Sequence, residues 1–261
     1  MKIAIVGNGY VGTAMKQLFT DAVIYDEPLG IGSRDEVNSC DIAFVCVPTP
    51  EKESGECDTS IVEEVIGWLA TEIIVLRSTV PVGFTDSMID RFGKNIIFQP
   101  EYCGETADHP YANLSSRSWI TLGGRQPYVE KVVNVYQEVY SSELKIKIVD
   151  SKTAELAKYM ENSFLAMKVT FCNEFYDLAE KMGISYTELR ETWLMDERMG
   201  RNHTFVYPEA RGFDGKCLPK DTSAIISQAE KLGVDMSLMH AMKQKNEKYL
   251  REKSSNGNSD K

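Results

Sequence analysis

The stretch Lys2-Ile-Ala-Ile-Val-Gly7-Asn-Gly9-Tyr-Val-Gly12 opens the chain and decides its fold class. An apolar run typical of a buried β-strand leads directly into a G-x-G-x-x-G pattern, and a helical pattern follows over residues 10–20. A second β-branched run ends at Asp26, about twenty residues after the first glycine. This order of strand, turn, helix and strand predicts a βαβ unit that binds a dinucleotide.

Each part of this turn has a physical role in binding a pyrophosphate. Gly7 makes the tight turn, Gly9 lets the pyrophosphate approach the backbone, and Gly12 lets helix and strand pack closely. The first helical residues, Tyr10 and Val11, supply unpaired N–H groups and the positive end of the helix dipole. A glycine-rich turn without function is the alternative, and the complete βαβ context disfavours it.

Asp26 predicts which dinucleotide binds. Its carboxylate can accept hydrogen bonds from both ribose hydroxyls and would repel a 2′-phosphate, so we expect NAD rather than NADP. Only about fifteen residues separate Asp26 from the next predicted strand, too few for the usual extra helix and strand of this fold.

Short β-branched runs alternate with helical patterns as far as about residue 149. This alternation predicts an α/β fold class, with a Rossmann-like doubly wound parallel sheet and helices on both faces, over residues 1–150. The predicted strands are 2–6, 22–26, 42–47, 72–77, 95–98, 119–122 and 145–149, and the predicted helices are 10–20, 60–70, 84–92 and 127–140. Ser60-Ile-Val-Glu63 is interpreted as a capping box that begins the second of these helices.

The pattern changes after residue 150, because residues 151–182 contain neither Gly nor Pro and repeat apolar residues at helical spacing. We expect one long helix there, ended by Gly183, and a shorter helix that Ser185 caps. Apolar side chains, including Phe164 and Phe175, occupy more than one face of the long helix, which predicts a homodimer formed through it.

The rest of the chain is predicted to be helical with one long loop. An arginine-rich loop at 196–218 precedes helices at about 219–232 and 237–252. The second domain is therefore an all-α domain at 151–252, followed by a disordered tail at 253–261.

Composition excludes several classes of protein. The 261 residues include 29 Lys plus Arg against 39 Asp plus Glu, a formal net charge of −10, which disfavours a nucleic-acid-binding protein. Hydrophobic residues make up 43% of the chain, as in soluble globular proteins. No apolar run reaches the ~18 residues that span a bilayer, and glycines interrupt the N-terminus where a signal peptide would be apolar. We therefore expect a cytoplasmic protein without a membrane partner.

Cysteine spacing predicts neither disulfides nor a metal site. The six cysteines form no C-x-x-C pair and the three histidines are scattered. Most of these thiols are expected to be buried and reduced.

The stretch Gly212-Phe-Asp-Gly215-Lys-Cys217-Leu-Pro-Lys-Asp221 carries the strongest catalytic signal. Pro219 is suited to be the first residue of a helix, which places Cys217 at the helix N-terminus between two lysines. Dipole and cations both favour a thiolate there. Asp221, one turn later, could hold a water or polarise a proton. The competing interpretation is a structural cysteine at a helix start.

Other candidates lie on the long helix and after two strands. Lys158 and Asn162 share a helix face that apolar residues continue, so we expect a partly buried pair able to bind an oxyanion rather than a solvated stripe. Two predicted strands are followed by polar candidates: Thr79 comes after the fourth strand, and Glu101 and Glu105 come after the fifth. Both segments lie on the side where such sheets bind ligands. Solvation explains the two glutamates equally well.

Together these residues resemble the UDP-glucose/GDP-mannose dehydrogenase family, which oxidises the C6 alcohol of a nucleotide sugar to a carboxylate with two NAD⁺. The resemblance extends from Met1 to about Leu250. Its motifs are GNGYVG, VPTP at 47–50, STVPVGFT at 78–85, QPEYCGE at 99–105, ELAKYMENSFLAMKVTFCNE at 155–174 and GFDGKCLPKD at 212–221.

The resemblance implies a role for each candidate. Cys217 would capture the aldehyde as a thiohemiacetal and later form a thioester. The groups that would stabilise charged intermediates are Lys158, Asn162 and Asp221; those around the sugar and the hydrolytic water are Thr79, Glu101 and Glu105. Thr49 and Thr79 would contact NAD, and Arg198 and Gly215 the substrate, with Arg198 reaching the sugar of a neighbouring subunit. The product would serve polysaccharide biosynthesis.

Three differences from the family stand out. Asp214 replaces a glycine beside the expected sugar site, and the segment 196–203 continues through a longer and different stretch, TFVYPEAR. The family also has a third domain that grips the nucleotide, so half of the usual substrate site is expected to come from elsewhere, such as a separate chain. Local positive charge for an anionic substrate is expected from Arg198, Arg201, Arg211, Lys216 and Lys220.

Two other functions stay open at this point. A non-catalytic NAD-binding dimerisation module would bind NAD and have an unreactive Cys217. A β-hydroxyacid dehydrogenase would share Lys158, Asn162 and the two-domain plan, but would have no use for the cysteine.

Overall fold

The computed structural model describes residues 1–102, 114–140 and 143–256, with side chains as far as residue 251. They form two compact units, each described here by itself. Unit 1 comprises residues 1–50 and 57–158, and unit 2 comprises residues 51–56 and the chain from residue 159. The division lies between residues 158 and 159, inside a long helix that begins at Ser151. The sequence predicted the boundary near residue 150.

Unit 1 is an α/β layer structure, as the alternating pattern predicts. Its strands are β1 (Ile3–Val6), β2 (Val23–Tyr25), β3 (Ile42–Val45), β4 (Ile73–Leu76), β5 (Ile96–Phe98), β6 (Trp119–Gly123) and β7 (Lys145–Val149). Its helices are α1 (Tyr10–Leu18), α2 (Arg34–Asn38), α3 (Ser60–Trp68), α4 (Phe84–Phe92) and α5 (Tyr128–Val139).

Among the described residues, seven strands form one sheet in the order β2-β1-β3-β4-β5-β6-β7. Neighbouring strands pair in parallel except β5 and β6, which meet antiparallel through Phe98 and Gly123. The expectation of a parallel sheet is therefore wrong at this one pairing. Strand direction depends on the path of the connecting chain, which the alternation of apolar residues does not report.

Both faces of the sheet are covered by helices. One face packs against α3 and α4 through residues such as Val62 and Met88. The opposite face packs against α1 and α5 through Met15 and Val132. Because both faces are buried, the central strands are apolar throughout rather than alternating.

Two local expectations in unit 1 are wrong. Residues 27–41, all of which the structure describes, contain no further strand but do contain the short helix α2. Ser33 caps it in the S-x-x-E pattern, accepting from the Glu36 N–H and donating to the Glu36 carboxylate. The interpretation of Ser60 as the cap of α3 is wrong, because Ser60 is the first helical residue and Thr59 is the N-cap. The Thr59 hydroxyl donates a hydrogen bond to the Glu63 carboxylate.

Helices make up most of the described part of unit 2. They are α6 (Ser151–Met182), which begins in unit 1, α7 (Tyr186–Trp193), α8 (Leu218–Lys231) and α9 (Ser237–Asn256). Gly183 follows α6 with φ +67°, and the Ser185 hydroxyl accepts from the Glu188 N–H, so both predicted caps are confirmed.

The end of α9 differs from the prediction. The helix continues to Asn256, into the segment expected to be disordered, because no glycine or proline interrupts the sequence before Gly257. Residues 257–261 lie outside the described residues. Within the part of the chain that the structure covers, no helix has both the length and the apolar character that crossing a membrane requires.

Candidate functional site

The glycine turn after β1 leaves no room for side chains at two positions. Gly7 has φ +94°, and a Cβ there would lie 2.7 Å from the carbonyl oxygen of Cys46. A Cβ on Gly12 would lie 1.8 Å from the carbonyl oxygen of Gly7. The backbone of the turn is therefore packed closely against β3 and α1. This is the point where the strand order reverses, which is where α/β sheets bind ligands.

Gly9 differs from Gly7 and Gly12, because a Cβ at this position would meet nothing within 4 Å. It is the N-cap of α1, whose first turn contains no acidic residue and begins at the exposed Tyr10. The unpaired N–H groups of a helix start therefore adjoin open space, which suits a pyrophosphate.

Asp26 follows β2 and is oriented by backbone groups of the same region. Its Oδ2 accepts from the Asn8 N–H at 2.7 Å, and its Oδ1 accepts from the Leu29 N–H at 3.1 Å. A carboxylate has about four acceptor positions, so both oxygens can also accept from ribose hydroxyls. The glycine turn and this carboxylate fit the adenosine pyrophosphate half of NAD.

The arginine that follows β2 is already engaged. Arg34 Nη2 pairs with Glu64 at 2.8 Å and Glu27 at 3.1 Å, and its guanidinium lies 5.0 Å from the Trp68 ring centroid. Two carboxylates thus neutralise the cation that a 2′-phosphate would need, in agreement with NAD over NADP.

The segments after β3 and β4 carry the two candidate threonines. Thr49 is buried and Thr79 is half-buried. The Ser78 hydroxyl donates to the Val47 carbonyl at 2.7 Å, and the Cys57 thiol donates to the Thr79 carbonyl at 3.4 Å. The VPTP and STVPVG segments are therefore joined side by side at the carboxyl edge of the sheet.

Glu101 is not a solvated residue. It is buried and forms ion pairs with the buried Arg77 and Arg117, the second at 3.2 Å. Arg77 Nη1 also donates to Gln99 at 2.7 Å and to the Tyr136 hydroxyl at 3.1 Å. Glu101 is thus held inside a buried polar network, of which the sequence indicated neither Arg117 nor Tyr136. Glu105 lies outside the described residues.

Lys158 and Glu155 are buried on the first turns of α6. The Lys158 ammonium lies 4.6 Å from the centroid of the Tyr102 ring, within the range of a cation–π contact. Glu155 accepts from the Gly83 N–H at 2.5 Å and the Thr85 N–H at 2.9 Å, at the start of α4. Burial raises the pKa of Glu155 above its ordinary value. The sequence did not single out Glu155, although it lies one turn before Lys158.

Cys217 is exposed and is the N-cap of α8. Pro219 is the second helical residue rather than the first, because Leu218 already belongs to the helix. The other described cysteines, Cys40, Cys46, Cys57 and Cys172, are buried, as expected. Accessibility therefore separates Cys217 from the structural thiols, as a nucleophile requires.

Asp221, one turn after this cysteine on α8, contacts Asn162 of α6. Asn162 Nδ2 donates to Asp221 Oδ2 at 2.5 Å, and Lys220 donates to Asp221 Oδ1 at 2.6 Å. Asp221 is 1% exposed and Asn162 is 5% exposed. Asp221 therefore accepts from an amide group on one oxygen and from an ammonium group on the other.

The expected cluster of positive charge is largely neutralised. Carboxylates pair with four of its five members: Arg198 with Asp196, Arg201 with Glu191, Arg211 with Asp177, and Lys220 with Asp221. Their spacing along the sequence predicted a shared site for an anion, whereas these four cations each have a carboxylate partner in the structure. Lys216, Asp214 and Gly215 are exposed, and the Gly215 N–H donates to Asp214 Oδ1 at 2.7 Å.

Comparison with known proteins gives consistent matches over both units. A sequence profile of the UDP-glucose/GDP-mannose dehydrogenase family NAD binding domain matches residues 29–143, and that of the family's central domain matches residues 152–248. The chain is 31% identical over 222 residues to UDP-glucose 6-dehydrogenase of Rickettsia typhi, covering 80% of this chain and 49% of the relative. It is 27% identical over 227 residues to the Bacillus subtilis UDP-glucose 6-dehydrogenase TuaD, covering 81% and 47%. The chain thus spans about half the length of these relatives.

Solved structures agree on the fold. A UDP-glucose dehydrogenase from Pyrobaculum islandicum superposes with a TM-score of 0.78 at 26% identity, covering 94% of this chain and 68% of that one. A GDP-mannose dehydrogenase from Pseudomonas aeruginosa superposes with a TM-score of 0.66 at 24% identity, covering 96% and 69%.

Proposed function

Because this chain belongs to the UDP-glucose/GDP-mannose dehydrogenase family, we propose that it oxidises the C6 alcohol of a nucleotide sugar to a carboxylate. The observation that carries the proposal is the environment of Cys217: an exposed thiol at a helix N-terminus, one turn from the buried pair of Asn162 and Asp221. In a chain whose other described thiols are buried, this arrangement supports a nucleophile.

NAD is the cofactor of this family's N-terminal domain. The residues proposed to hold it are the three glycines of the first turn, the start of α1 at Tyr10 and Val11, Asp26, Thr49 and Thr79. When bound, NAD⁺ accepts a hydride from the carbon that is oxidised, and oxidation of an alcohol to an acid requires two such transfers.

Cys217 is proposed to retain the substrate between the two oxidations. Its thiolate adds to the C6 aldehyde, so a C–S bond forms and the carbonyl oxygen becomes an alkoxide, giving a thiohemiacetal. The second oxidation converts this adduct into a thioester. Water then attacks the thioester carbon and the C–S bond breaks, which releases the carboxylate and restores the thiolate.

Further residues are proposed, from the resemblance, to stabilise the charges that these reaction steps create. The Lys158 ammonium and the Asn162 amide are suited to an alkoxide, since both donate hydrogen bonds and both are largely removed from bulk water. Asp221 orients Asn162. Thr79, Glu101 and Glu105 are proposed, from the resemblance, to act on the sugar and the hydrolytic water, and Arg198 and Gly215 on the substrate.

We also propose a homodimer through α6. Its exposed apolar residues in unit 2 include Met160 at 75%, Phe164 at 56% and Phe171 at 45% exposure. An apolar groove between α6 and α7, lined by Phe171, Phe175 and Trp193, continues this face. A second copy would cover it, as apolar patches of this kind require. The nucleotide end of the substrate is proposed to bind further polypeptide outside the two matched regions. The cytoplasm and polysaccharide biosynthesis are the setting that the resemblance implies.

The test of the activity is the stoichiometry of the reaction. The chain is incubated with NAD⁺ and a panel of UDP- and GDP-linked hexoses, while NADH is measured by absorbance and the sugar product by mass spectrometry. Two NADH per sugar acid are expected. Cys217→Ser is expected to form no acid and, at most, one NADH per aldehyde, because the serine hydroxyl is a far weaker nucleophile than a thiolate.

Other outcomes would favour the other functions. NAD binding without turnover, together with a Cys217 that iodoacetamide labels only near the ordinary thiol pKa of about 8.5, would indicate a non-catalytic binding module. One NADH from a small hydroxyacid, unaffected by Cys217→Ser, would indicate a β-hydroxyacid dehydrogenase.

A further inference from the structure

The residues that precede the cysteine loop are held by a buried asparagine of α9. The Phe213 N–H donates to Asn246 Oδ1 at 2.7 Å, and Asn246 Nδ2 donates to the Phe213 carbonyl at 2.9 Å. Asn246 is 4% exposed, so water does not compete for either hydrogen bond. One side chain thus satisfies both backbone groups of Phe213.

The preceding glycine fits against the same amide. Gly212 has φ +77°, and a Cβ there would lie 2.5 Å from Asn246 Oδ1. The Phe213 side chain is buried with Ala166 and Met242 in the core of unit 2. Backbone and side chain therefore both hold residues 212 and 213 in one position.

Helix α6 holds the other side of this segment. Asn173, also buried, accepts from Arg211 Nε through its Oδ1 at 2.5 Å and from the Gly212 N–H at 3.3 Å. Arg211 Nη2 donates to Asp177 at 2.6 Å, and the Arg211 guanidinium lies 4.7 Å from the Tyr249 ring centroid. Arg211 is thereby committed to holding the loop, although its position in the sequence indicated a role in anion binding.

Beyond Phe213 the exposure of the chain changes. Residues 214–217 are all exposed, and regular structure resumes where the Asp221 N–H donates to the Cys217 carbonyl at 2.9 Å. Each residue spans at most about 3.6 Å, so the three residues between Phe213 and Cys217 form a short tether. The position of Phe213 therefore limits where the thiol can lie.

We propose that Asn246, together with Asn173, is a positioning residue for Cys217: the two amides fix residues 211–213 so that the short exposed loop presents the thiol at the start of α8. Asn246 acts through the loop backbone and not on the substrate. The catalytic consequence rests on the proposed function, whereas the effect on the loop and on thiol reactivity does not.

The experiment compares Asn246→Ala and Asn173→Ala with Tyr249→Phe in the full chain. Tyr249 is the control because it lies one turn after Asn246 on α9. Its substitution removes the hydrogen bond from the Tyr249 hydroxyl to Asp177, but removes no hydrogen bond to the backbone of residues 212 and 213. Hydrogen exchange of the Phe213 amide and iodoacetamide labelling of the peptide that carries Cys217 are measured against pH. Steady-state turnover is measured with the nucleotide sugar that the substrate panel identifies.

In Asn246→Ala, the Phe213 amide is expected to exchange at least about tenfold faster, because its acceptor is gone. Labelling of Cys217 at neutral pH is expected to slow several-fold, with the pH profile moving toward that of an ordinary thiol. The kcat is expected to fall about 10- to 100-fold at unchanged KM for NAD⁺, which corresponds to ~1.4–2.7 kcal/mol of barrier. Asn173→Ala is expected to show the same changes more weakly, and Tyr249→Phe none of them.

The proposal is overturned if Asn246→Ala has the same labelling profile and kcat as Tyr249→Phe. If Asn246→Ala does not fold, Asn173→Ala decides by the same criteria. If the wild type shows no turnover, the labelling profiles decide alone. A wild-type Cys217 that already labels like an ordinary thiol contradicts the proposed function, and a Phe213 amide that exchanges freely in the wild type contradicts the positioning role.

Discussion

At the scale of single residues, neighbouring positions of one turn are constrained by different physical causes. Gly12 is required by packing, since a Cβ there would lie 1.8 Å from a backbone oxygen. Gly9 has open space around it, so the folded protein alone does not require glycine there. If the pyrophosphate of NAD approaches this backbone, the ligand imposes the constraint at Gly9.

This difference predicts that an alanine at Gly9 affects NAD⁺ binding, whereas an alanine at Gly12 affects stability. Gly9→Ala is expected to leave the melting temperature within about 1 °C and to weaken NAD⁺ binding at least about tenfold, because the methyl group occupies the path of the phosphate. Gly12→Ala is expected to lower the free energy of unfolding by about 1–3 kcal/mol or more through overpacking. Thermal unfolding and calorimetric titration with NAD⁺ measure both. Unchanged NAD⁺ affinity in Gly9→Ala would contradict the assignment of the cofactor site.

At the scale of elements, the start of α6 organises unit 1. Glu155 caps the start of α4 through two backbone N–H groups, and α4 follows the segment that carries Thr79. Lys158 lies one turn later on α6, against Tyr102. A single carboxylate therefore links the helix of the candidate lysine to the loop of the candidate threonine.

Glu155→Gln tests this link. The amide can accept from only one of the two N–H groups and turns its own NH₂ toward the other, so unfolding free energy is expected to fall by about 1–3 kcal/mol. Because burial raises the pKa of Glu155, its contribution to stability is complete below the unfolded-state pKa of about 4.3 and declines as pH rises through the higher folded-state pKa. The stability gap between wild type and variant should therefore narrow as pH rises.

Urea unfolding at a series of pH values measures that gap. Glu180→Gln is the matched control, because Glu180 is an exposed glutamate of the same helix. It is expected to change stability by less than about 0.5 kcal/mol at every pH. A gap for Glu155→Gln that widened with pH would mean that the ionised carboxylate is the favoured form.

At the scale of the whole molecule, a row of apolar side chains on α6 stays exposed to solvent in the described chain. Phe171 is 45% exposed and lies 4.7 Å from Phe175 and 5.9 Å from Trp193 between ring centroids. An aromatic cluster of this size on a surface is typical of an interface.

The proposed dimer predicts a sedimentation mass of twice the 29.4 kDa chain. Phe171→Glu is expected to sediment as a monomer, because a charge at the centre of the apolar face would be buried without a partner. Leu232→Glu, which places the same charge at a 74% exposed apolar residue at the end of α8, is expected to remain dimeric. A wild type that is monomeric at micromolar concentration, or a dimer that tolerates Phe171→Glu, would contradict the interface.

Local features of the sequence predicted most of the elements. The helix at Phe84–Phe92 and the strand at Lys145–Val149 agree with the structure residue for residue, and the caps at Gly183 and Ser185 are confirmed. These signals act over a few residues, through apolar periodicity and the hydrogen bonds of helix ends, so they can be read without the fold. The same local reasoning missed α2, because the short interval after Asp26 predicts no further helix, although Ser33-Arg-Asp-Glu36 has the S-x-x-E pattern of a helix start.

The sequence by itself predicted the α/β fold of the first part of the chain, the glycine turn after β1 and the long helix α6, because each depends on neighbours along the chain. Only the tertiary structure decided which polar groups meet. Asn162 and Asp221 are 59 residues apart in sequence, and Asn246 and Phe213 are 33 apart. Partners at such separations are chosen by helix packing, and a buried donor is satisfied by whichever acceptor the fold brings to it. The same reason explains only part of the neutralised cationic cluster. Folding brings Asp177 to Arg211, 34 residues away in sequence, whereas Asp196 and Asp221 pair with cations that lie within two residues of them along the chain.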